Sequence, residues 1–247
     1  MTLTLLAGYD KNREKETFTS LSLSSGELWA VCGPTGSGKS RLVKDLEMLV
    51  DGDSITGRRV LVDGKSLSMD ERERLSSTLI AHLGQNMRFV LDMKVEDFIK
   101  MHAKAASQRD VDITSLIESA NTITEEPIEK DMLLSSLSGG QSRALMCADI
   151  AVISNRPVVL IDEIENAGID KEAALSLLAS KEKLVLIVTH DVHTALMAGG
   201  RIILSAGGVK EVRMRSKREE ELFYTLDEEY KRSFYLQKLL RRGEEVV

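Results

Sequence analysis

The chain has 247 residues, a length that suits one large α/β domain or a domain with an inserted subdomain. Apolar residues make up 43% of the sequence and charged residues 29%, the balance of a globular protein that buries its core without help from disulfides or metals. The formal net charge of −6 argues against a protein that binds nucleic acid or an anionic bilayer.

The cysteines and the apolar runs bear on where the protein works. Cys32 and Cys147 both lie in apolar runs, which predicts buried free thiols, and no His/Cys spacing resembles a zinc site. Residues 1–8 lack the basic region and the long apolar segment of a signal peptide. No apolar run approaches the ~20 residues of a membrane span. We therefore expect a cytoplasmic protein, or one held at the cytoplasmic face of a membrane by a partner.

Short apolar runs bounded by turn residues predict several β-strands. The runs at residues 158–161 and 184–188 are continuous rather than alternating, as in strands that a parallel sheet buries on both faces. Residues 41–50 are predicted to form a helix, and Asp63-Gly64 is a hairpin signal. The predicted strands are residues 3–7, 18–23, 28–32, 60–62, 78–83, 158–161, 184–188 and 201–204.

Between residues 95 and 132 the apolar residues change to helical spacing, three or four positions apart. This predicts an inserted, mostly helical subdomain over residues 85–140. The flanking segments, residues 1–84 and 141–211, would then form one discontinuous core domain.

The last segment, residues 212–247, is dense in charge yet contains half of the chain's aromatic residues. Its apolar residues approximate an i, i+4 stripe, which predicts an amphipathic helical extension. Such a stripe must be covered, either by the chain's own core or by an associating surface. The stripe consists of Leu222, Leu226, Tyr230, Phe234, Leu236 and Leu240.

Residues 33–40, Gly-Pro-Thr-Gly-Ser-Gly-Lys-Ser, fit the phosphate-loop pattern G-x-x-x-x-G-K-[ST] between a predicted strand and a predicted helix. Glycines let backbone N–H groups converge on phosphate oxygens, and the helix N-terminus adds positive potential. Lys39 would supply a cation for the β- and γ-phosphates of a nucleotide, and the Ser40 hydroxyl would ligate Mg²⁺. The predicted nucleotide-binding residues are Gly33, Thr35, Gly36, Ser37, Gly38, Lys39 and Ser40.

Two carboxylates follow the predicted strand at residues 158–161. Asp162 and Glu163 would lie at the carboxyl edge of the sheet, where open α/β sheets bind ligands. Asp162 would hold Mg²⁺ through water, and Glu163 would orient and polarise an attacking water. An apolar strand that ends in Asp-Glu is weak evidence alone, and the phosphate loop is what makes it a hydrolytic site.

Leu137-Ser138-Gly139-Gly140-Gln141 lies between the two motifs and resembles the signature of the ABC (ATP-binding cassette) family. Ser-Gly-Gly ahead of a helix makes a second anion-binding turn. The chain to about residue 210 is similar to ABC nucleotide-binding domains. The resemblance implies ATP hydrolysis in a head-to-tail homodimer, where residues 138–141 of one copy cap the γ-phosphate bound by the other.

The implied fold is α/β. It has a P-loop NTPase core with a mainly parallel sheet and N-terminal antiparallel strands, and an inserted helical subdomain that carries the signature. Gln85 matches the family's glutamine that contacts Mg²⁺ and the attacking water, and His190 matches the switch histidine that touches the γ-phosphate. Tyr9 matches the aromatic that stacks on adenine, although it fits a solvent-facing strand end as well. Phe18, the competing aromatic, lies too close to the loop and resembles core.

The sequence departs from the family at two places. After the carboxylates, residues 164–170 lack the usual proline and contain one extra residue, so that Asp170 stands in for the family's aspartate in an open register. Asp149, in the helix after the signature, is an acid where an arginine is usual. These changes affect the segments for dimer contact and coupling and leave the hydrolytic residues intact.

Two biological roles remain open from the sequence. The first is the ATP-binding subunit of an ABC transporter, with a membrane permease subunit docking beside residues 86–93. The second is a soluble ABC ATPase that drives assembly or activation of a partner protein, such as a metallocofactor machine. A DNA-repair or chromosome ATPase is rejected, because the segment between Gln85 and the signature is too short for a coiled coil and the charge is negative.

Overall fold

The structure is a computed structural model that describes residues 1–85, 87–108, 110–166 and 168–246. The strands of these described residues are β1 (Thr2–Leu6), β2 (Ser20–Ser24), β3 (Leu28–Cys32), β4 (Arg59–Val62), β5 (Ile80–Leu83), β6 (Val158–Asp162), β7 (Leu184–Val188), β8 (Gly200–Ser205) and β9 (Gly208–Met214). The helices are α1 (Lys39–Glu47), α2 (Met69–Leu79), α3 (Val95–Ala105), α4 (Ile113–Ile123), α5 (Gly139–Val152), α6 (Lys171–Ala179), α7 (Val192–Met197) and α8 (Lys217–Arg241).

A six-stranded sheet of order β5-β6-β7-β3-β8-β9 forms the centre of the fold. Its strands run parallel except β9, which is antiparallel to β8. Val188 at the end of β7 is paired with Val31 of β3 on one side and with Asp162 of β6 on the other. The segments that follow these three strands therefore emerge side by side at the carboxyl edge, where α/β sheets bind ligands.

β7 shows why the continuous apolar runs predicted strands correctly. All five of its residues are buried. Val185 and Ile187 join one core with α5 and α6, while Leu184, Leu186 and Val188 join a second core with α1 and the N-terminal strands. Each such burial contributes roughly 1.5–3 kcal/mol, so both faces of the strand are selected to be apolar.

The N-terminal strands form a separate antiparallel sheet of order β2-β1-β4, as expected. Its inward side chains alternate along each strand, with Leu3 opposite Leu23 and Leu5 opposite Leu21. These four leucines pack against the face of the central sheet that carries α1.

The helical insertion is present as α3 and α4, and the signature opens α5. α5 continues to Val152 and packs against both α4 and α6, so the predicted boundary at residues 140 and 141 falls inside one unbroken helix. A contact with His102 accounts for Asp149, the acid that stands where the family has an arginine. Asp149 is buried, and its Oδ1 lies 2.6 Å from Nδ1 of His102, which joins α5 to α3. The limits of the subdomain stay a prediction.

Two local predictions near residue 70 are wrong. Thr78 and Leu79, predicted as strand, form the end of α2, whose N-terminus is held by a capping box between Ser68 and Glu71. The helix passes directly into β5. The turn at Asp63-Gly64 does not join two strands, because only a single bridge between Val62 and Lys65 follows it before the chain enters α2.

The C-terminal segment begins as strand and continues as helix. The predicted boundary at residue 212 falls inside β9, and α8 starts at Lys217. α8 packs along one side against α7, with Phe223 among the half-buried residues. Leu222 and Leu240, which the predicted stripe included, are 48% and 69% exposed. The other four residues of the predicted stripe, Leu226, Tyr230, Phe234 and Leu236, are half-buried, so the stripe is confirmed in its middle and exposed at its two ends.

Both cysteines are free thiols, as predicted. Cys147 is buried in α5, and burial raises its pKa to about 12, so it is unreactive at neutral pH. Cys32 is only half-buried at the end of β3. None of the helices in the described part of the chain combines the length and the apolar character that crossing a membrane requires.

Candidate functional site

A cleft of about 690 Å³ lies at the carboxyl edge of the central sheet. It brings together most of the residues that the sequence predicted for nucleotide binding and hydrolysis, while Ser37 is buried beneath the phosphate loop. The lining residues are Gly33, Pro34, Thr35, Gly36, Gly38, Lys39, Ser40, Arg41, Gln85, Asp162, Glu163, Val188 and His190.

Two glycines of the phosphate loop occupy positions where a side chain does not fit. Gly38 has φ +103° at the N-cap of α1, and a Cβ there would lie 2.9 Å from Cα of Gly207. A Cβ on Gly33 would lie 2.6 Å from both the Leu204 carbonyl oxygen and Oγ of Ser37. Only glycine fits these positions, and the first amides of α1 are thereby directed into the cleft.

Two lysines are anchored on the phosphate loop. Nζ of Lys39 donates to the carbonyl oxygens of Gly33 at 2.7 Å and Pro34 at 3.2 Å, which holds the cation across the loop. Nζ of Lys11 donates to the Gly36 carbonyl oxygen at 2.8 Å. Sequence reasoning missed Lys11, because no motif connects it with residues 33–40.

Glu163 is the centre of the predicted hydrolytic group. It accepts a hydrogen bond from Nε2 of Gln85, and its Oε1 lies 3.7 Å from Nδ1 of His190. Its backbone has φ +49°, an uncommon conformation for a residue with a side chain. The Glu163 N–H donates to the carbonyl oxygen of Val188, the last residue of β7, at 3.0 Å, which stabilises this turn at the end of β6. Strained residues of this kind concentrate at functional sites.

The oxygen atoms of the cleft suit a hard divalent cation. Ser40, Gln85 and Asp162 all line it, and Mg²⁺ prefers oxygen ligands. Burial and, next, the neighbouring Glu163 raise the pKa of Asp162, and a bound cation would relieve that cost. No cluster of three or more His, Cys, Asp or Glu placed to hold a metal occurs among the described residues. A Mg²⁺ ion here would therefore complete its shell with phosphate oxygens and water.

Glu165 positions the segment that carries His190. Its Oε1 accepts hydrogen bonds from Oγ1 of Thr189 at 2.8 Å and from the His190 backbone N–H at 3.4 Å. Sequence reasoning missed Glu165, although its place two residues beyond Glu163 was the available signal.

Asp191, directly after His190, is tied to α6. Its Oδ2 lies 2.5 Å from Nζ of Lys171 and accepts the Thr194 N–H at 2.8 Å. Burial opposes ionisation of this carboxyl, but the hydrogen bonds from Lys171 and Thr194 outweigh it and hold the pKa at about 2. The start of α6 and the start of α7 are thus joined beside the cleft.

His193, to which the sequence assigned no role, is the contact point of α8. It is buried, and its ring stacks between those of Phe223 and Tyr230, with centroids 5.4 Å and 4.7 Å away. Its Nε2 lies 3.2 Å from Oδ1 of Asp227. α7 of the same chain therefore partly covers the side of α8 that carries Phe223 and Tyr230, which are half-buried. Packing within the chain was one of the two expected outcomes.

The signature residues form a well-capped helix start. The side chains of Ser138 and Gln141 each accept the other's backbone N–H, and Gln141 also donates to the Pro127 carbonyl oxygen at 2.9 Å. The amides of Gly139 and Gly140 belong to the same first turn, where a helix supplies no partner of its own.

The signature does not meet the phosphate loop within one chain. Ser138 and Gly140 line a second cleft of about 530 Å³, and none of residues 138–141 appears among the described residues that line the first cleft. The two clefts are connected only indirectly, through α5. Arg143 of α5 donates to the carbonyl oxygen of Gly84, next to Gln85.

Tyr9 is half exposed and does not line the first cleft. Its N–H donates to the Thr56 carbonyl oxygen at 2.7 Å, and its ring lies beside Gly57. Stacking of Tyr9 on adenine stays a prediction.

Comparisons with known proteins agree with this architecture. Residues 18–166 match the family model of the ABC transporter. The chain is 46% identical to an uncharacterized ABC transporter ATP-binding protein of Methanocaldococcus jannaschii, covering 99% of this chain and 94% of the relative. Its fold is similar to that of cbiO1 from Clostridium perfringens, part of the ABC transporter complex cbiONQ, with 20% identity, TM-score 0.62 and 96% of each chain covered. It also resembles a dimeric ATP-binding cassette bound to ADP and Pi, with 21% identity, TM-score 0.61 and coverage of 87% and 98%.

Proposed function

This chain belongs to the ABC transporter family and is an ABC-type ATP hydrolase, and we propose that it is the ATP-binding subunit of a transporter, acting as a head-to-tail homodimer with ATP between the copies. One observation supports the proposed dimer. The hydrolytic residues and the signature residues line two separate clefts of the chain, so a second copy is needed to bring a signature to a phosphate.

The residues of the first cleft divide the reaction among them. The amides of the phosphate loop and the cation of Lys39 bind the phosphates. Glu163 accepts a proton from the attacking water. Gln85, hydrogen-bonded to Glu163, contacts this water and Mg²⁺, and His190, 3.7 Å from Glu163, contacts the γ-phosphate. Glu165 holds His190 in place by accepting a hydrogen bond from its backbone N–H. Asp191, the next residue, is fixed by its ion pair with Lys171.

Mg²⁺, when bound, would supply positive charge to the β- and γ-phosphates. Ser40, Asp162 and Gln85 would hold it, in agreement with their oxygen donors and with the raised pKa of Asp162.

The signature of one copy would complete the site of the other. Ser138, Gly139, Gly140 and Gln141 offer the start of α5 to the γ-phosphate, and hydrogen bonds to a charged phosphate are stronger than those between neutral groups. The dimeric state of the similar cassette with ADP and Pi supports this arrangement by fold alone.

The segment after Gln85 is the candidate docking surface for a membrane permease subunit. Within residues 86–93, Asn86 lies outside the described residues. Met87, Val90 and Leu91 are 45%, 93% and 40% exposed. Such a subunit would place this chain at the cytoplasmic face of a membrane. The soluble assembly ATPase has no counterpart among the relatives named above.

Light scattering on the Glu163→Gln variant tests the dimer. This change keeps the shape of the side chain but removes its charge and basicity, so ATP stays intact and the sandwich should persist. We expect a monomer without ATP and a dimer with ATP, and we expect Ser138→Arg to abolish that dimer. A Glu163→Gln variant that stays monomeric with ATP would contradict the proposal.

A further inference from the structure

The C-terminal end of α8 lies in the cleft of the signature. Arg241, in the last turn of α8, and Arg242, directly after it, line this cleft together with Ser138 and Gly140. The family signature itself ends at residue 141, so neither arginine belongs to it. The complete lining is Thr124, Glu125, Glu126, Ser138, Gly140, Gly168, Arg241 and Arg242.

The present partners of both arginines are exchangeable. Nη1 of Arg241 lies 3.4 Å from Oε2 of Glu125, and Nη1 of Arg242 lies 3.9 Å from Oε1 of Glu244. Both arginine side chains are more than half exposed. The Glu244 side chain is also more than half exposed, and an ion pair exposed on both sides contributes little, so a doubly charged phosphate can replace Glu244. Glu125 is only 17% exposed, and a phosphate can draw Arg241 away from it because the phosphate carries the larger charge.

A third cation lies beside the signature turn. Nη2 of Arg88 is 3.8 Å from the position that a Cβ on Gly139 would take. The signature turn supplies only neutral donors, namely a hydroxyl and backbone amides. Arginines from two other segments therefore provide the positive charge near it.

We propose that Arg241 and Arg242 bind the γ-phosphate of the ATP held by the phosphate loop of a second copy. This inference rests on the proposed dimer and adds two guanidinium groups to its signature side. The planar guanidinium forms paired hydrogen bonds with phosphate oxygens, which a lone amide does not. α8 then has two functions, since its middle packs against His193 and its end reaches the partner's nucleotide.

The arginines have a simpler possible role. Cations in the last turn stabilise a helix end, and the pair with Glu125 fastens α8 to the helical subdomain. The two roles differ in what loss of Glu125 does. If the arginines only fasten α8, Glu125→Gln should have the same effect as removing Arg241. If they bind phosphate, Glu125→Gln frees Arg241 and leaves the dimer intact.

The test measures the ATP concentration for half-maximal dimer formation by light scattering, in the Glu163→Gln background. Arg241→Ala/Arg242→Ala should raise that concentration roughly tenfold or more, because a hydrogen bond to a charged group is worth about one factor of ten. ATP binding to the monomer, followed with a fluorescent ATP analogue at nanomolar protein, should stay unchanged. Arg218→Ala/Arg232→Ala removes two exposed arginines from the same helix and is the charge-matched control.

The outcomes are separable. An unchanged half-maximal concentration in the double variant overturns the inference and leaves the dimer standing. A lowered concentration also overturns it, and shows that the end of α8 obstructs the second copy. A Glu125→Gln variant as impaired as the double variant assigns the arginines to fastening. If the Glu163→Gln parent itself forms no ATP-dependent dimer, the proposed function fails, and the inference fails with it.

Discussion

The ring of Tyr230 in α8 stacks on the ring of His193, with centroids 4.7 Å apart. His193 lies three residues beyond His190 in the sequence. The Tyr230 hydroxyl also donates to Oδ1 of Asp170 at 3.4 Å, and Nζ of Lys171 lies 4.5 Å from its ring centre. One aromatic side chain of the C-terminal extension thus contacts both α7, which begins two residues after His190, and the start of α6. Loss of this side chain should loosen the segment that positions His190.

Tyr230→Ala should therefore lower kcat while leaving the affinity for ATP nearly unchanged. Stability should fall by about 1–3 kcal/mol, from lost burial and lost ring stacking. Steady-state ATPase assays and urea unfolding measure the two effects. Tyr224→Ala is the matched control, because Tyr224 lies on the same helix and is 62% exposed. Equal losses in the two variants would show that Tyr230 has no special link to the site.

Lys39 and His190 should separate nucleotide binding from hydrolysis. Lys39→Ala removes the cation that the phosphate loop holds, so ATP binding and hydrolysis should both be lost. His190→Ala should leave binding nearly intact and slow turnover, because the exposed ring lies 3.7 Å from Glu163 and, in the proposed function, contacts the γ-phosphate without holding the nucleotide. Calorimetric titration with ATP and single-turnover hydrolysis distinguish these results. Equal loss of binding in both variants would make His190 a structural residue.

Arg58 should be a major determinant of stability although it lies outside the cleft. Its guanidinium is fully buried and pairs with Glu16 at 2.5 Å and Asp45 at 3.0 Å. Removing one partner of a buried ion pair typically costs about 3–5 kcal/mol, because the remaining charges stay uncompensated. Arg58→Ala should show a loss of this size in urea unfolding. Its neighbour Arg59 pairs with Asp51 while about half exposed, so Arg59→Ala should cost less than about 1 kcal/mol.

His102 should make stability depend on pH. The hydrogen bond from His102 to Asp149 is the largest cause that raises its pKa above the usual 6.5. Because the folded pKa is the higher one, the stabilisation is fully present below pH 6.5 and is lost as pH rises through the folded value. His102→Gln should therefore destabilise the protein more at pH 6 than at pH 9, measured as urea midpoints. A pH-independent difference would contradict the charged pair.

Val90 should be needed for a membrane partner and for nothing else. It is 93% exposed, so Val90→Asp should leave folding and ATPase activity of the isolated protein unchanged. Placing a charge in an apolar docking surface should reduce recovery of the permease subunit in a pull-down from detergent-solubilised membranes. Ile55→Asp is the control, because Ile55 is 86% exposed on another part of the surface. Equal recovery with both variants would place the docking surface elsewhere.

The fold and most of the site residues could be predicted because their signals are local. The phosphate loop depends on backbone conformations that glycine alone adopts, as at Gly33 and Gly38. The signature depends on a helix start whose cap, Ser138, lies three residues from its partner Gln141. A buried parallel strand needs apolar residues on both faces, and this leaves an unbroken run in the sequence.

The sequence by itself thus determined the family, ATP hydrolysis as the chemistry, and the order of strands β1 to β8 along the chain, whereas β9 was not predicted. Tertiary structure alone decided which distant residues support that chemistry. Lys11 reaches Gly36 through a contact that no motif predicts. Glu165 is close to Glu163 in the sequence, but only the fold shows that it accepts a hydrogen bond from Thr189. The side of α8 that is covered is the same kind of result. Helical spacing in the sequence finds Leu226, Tyr230 and Phe234, which are half-buried, but only the position of His193 decides that Phe223 is partly covered while Leu222 stays exposed.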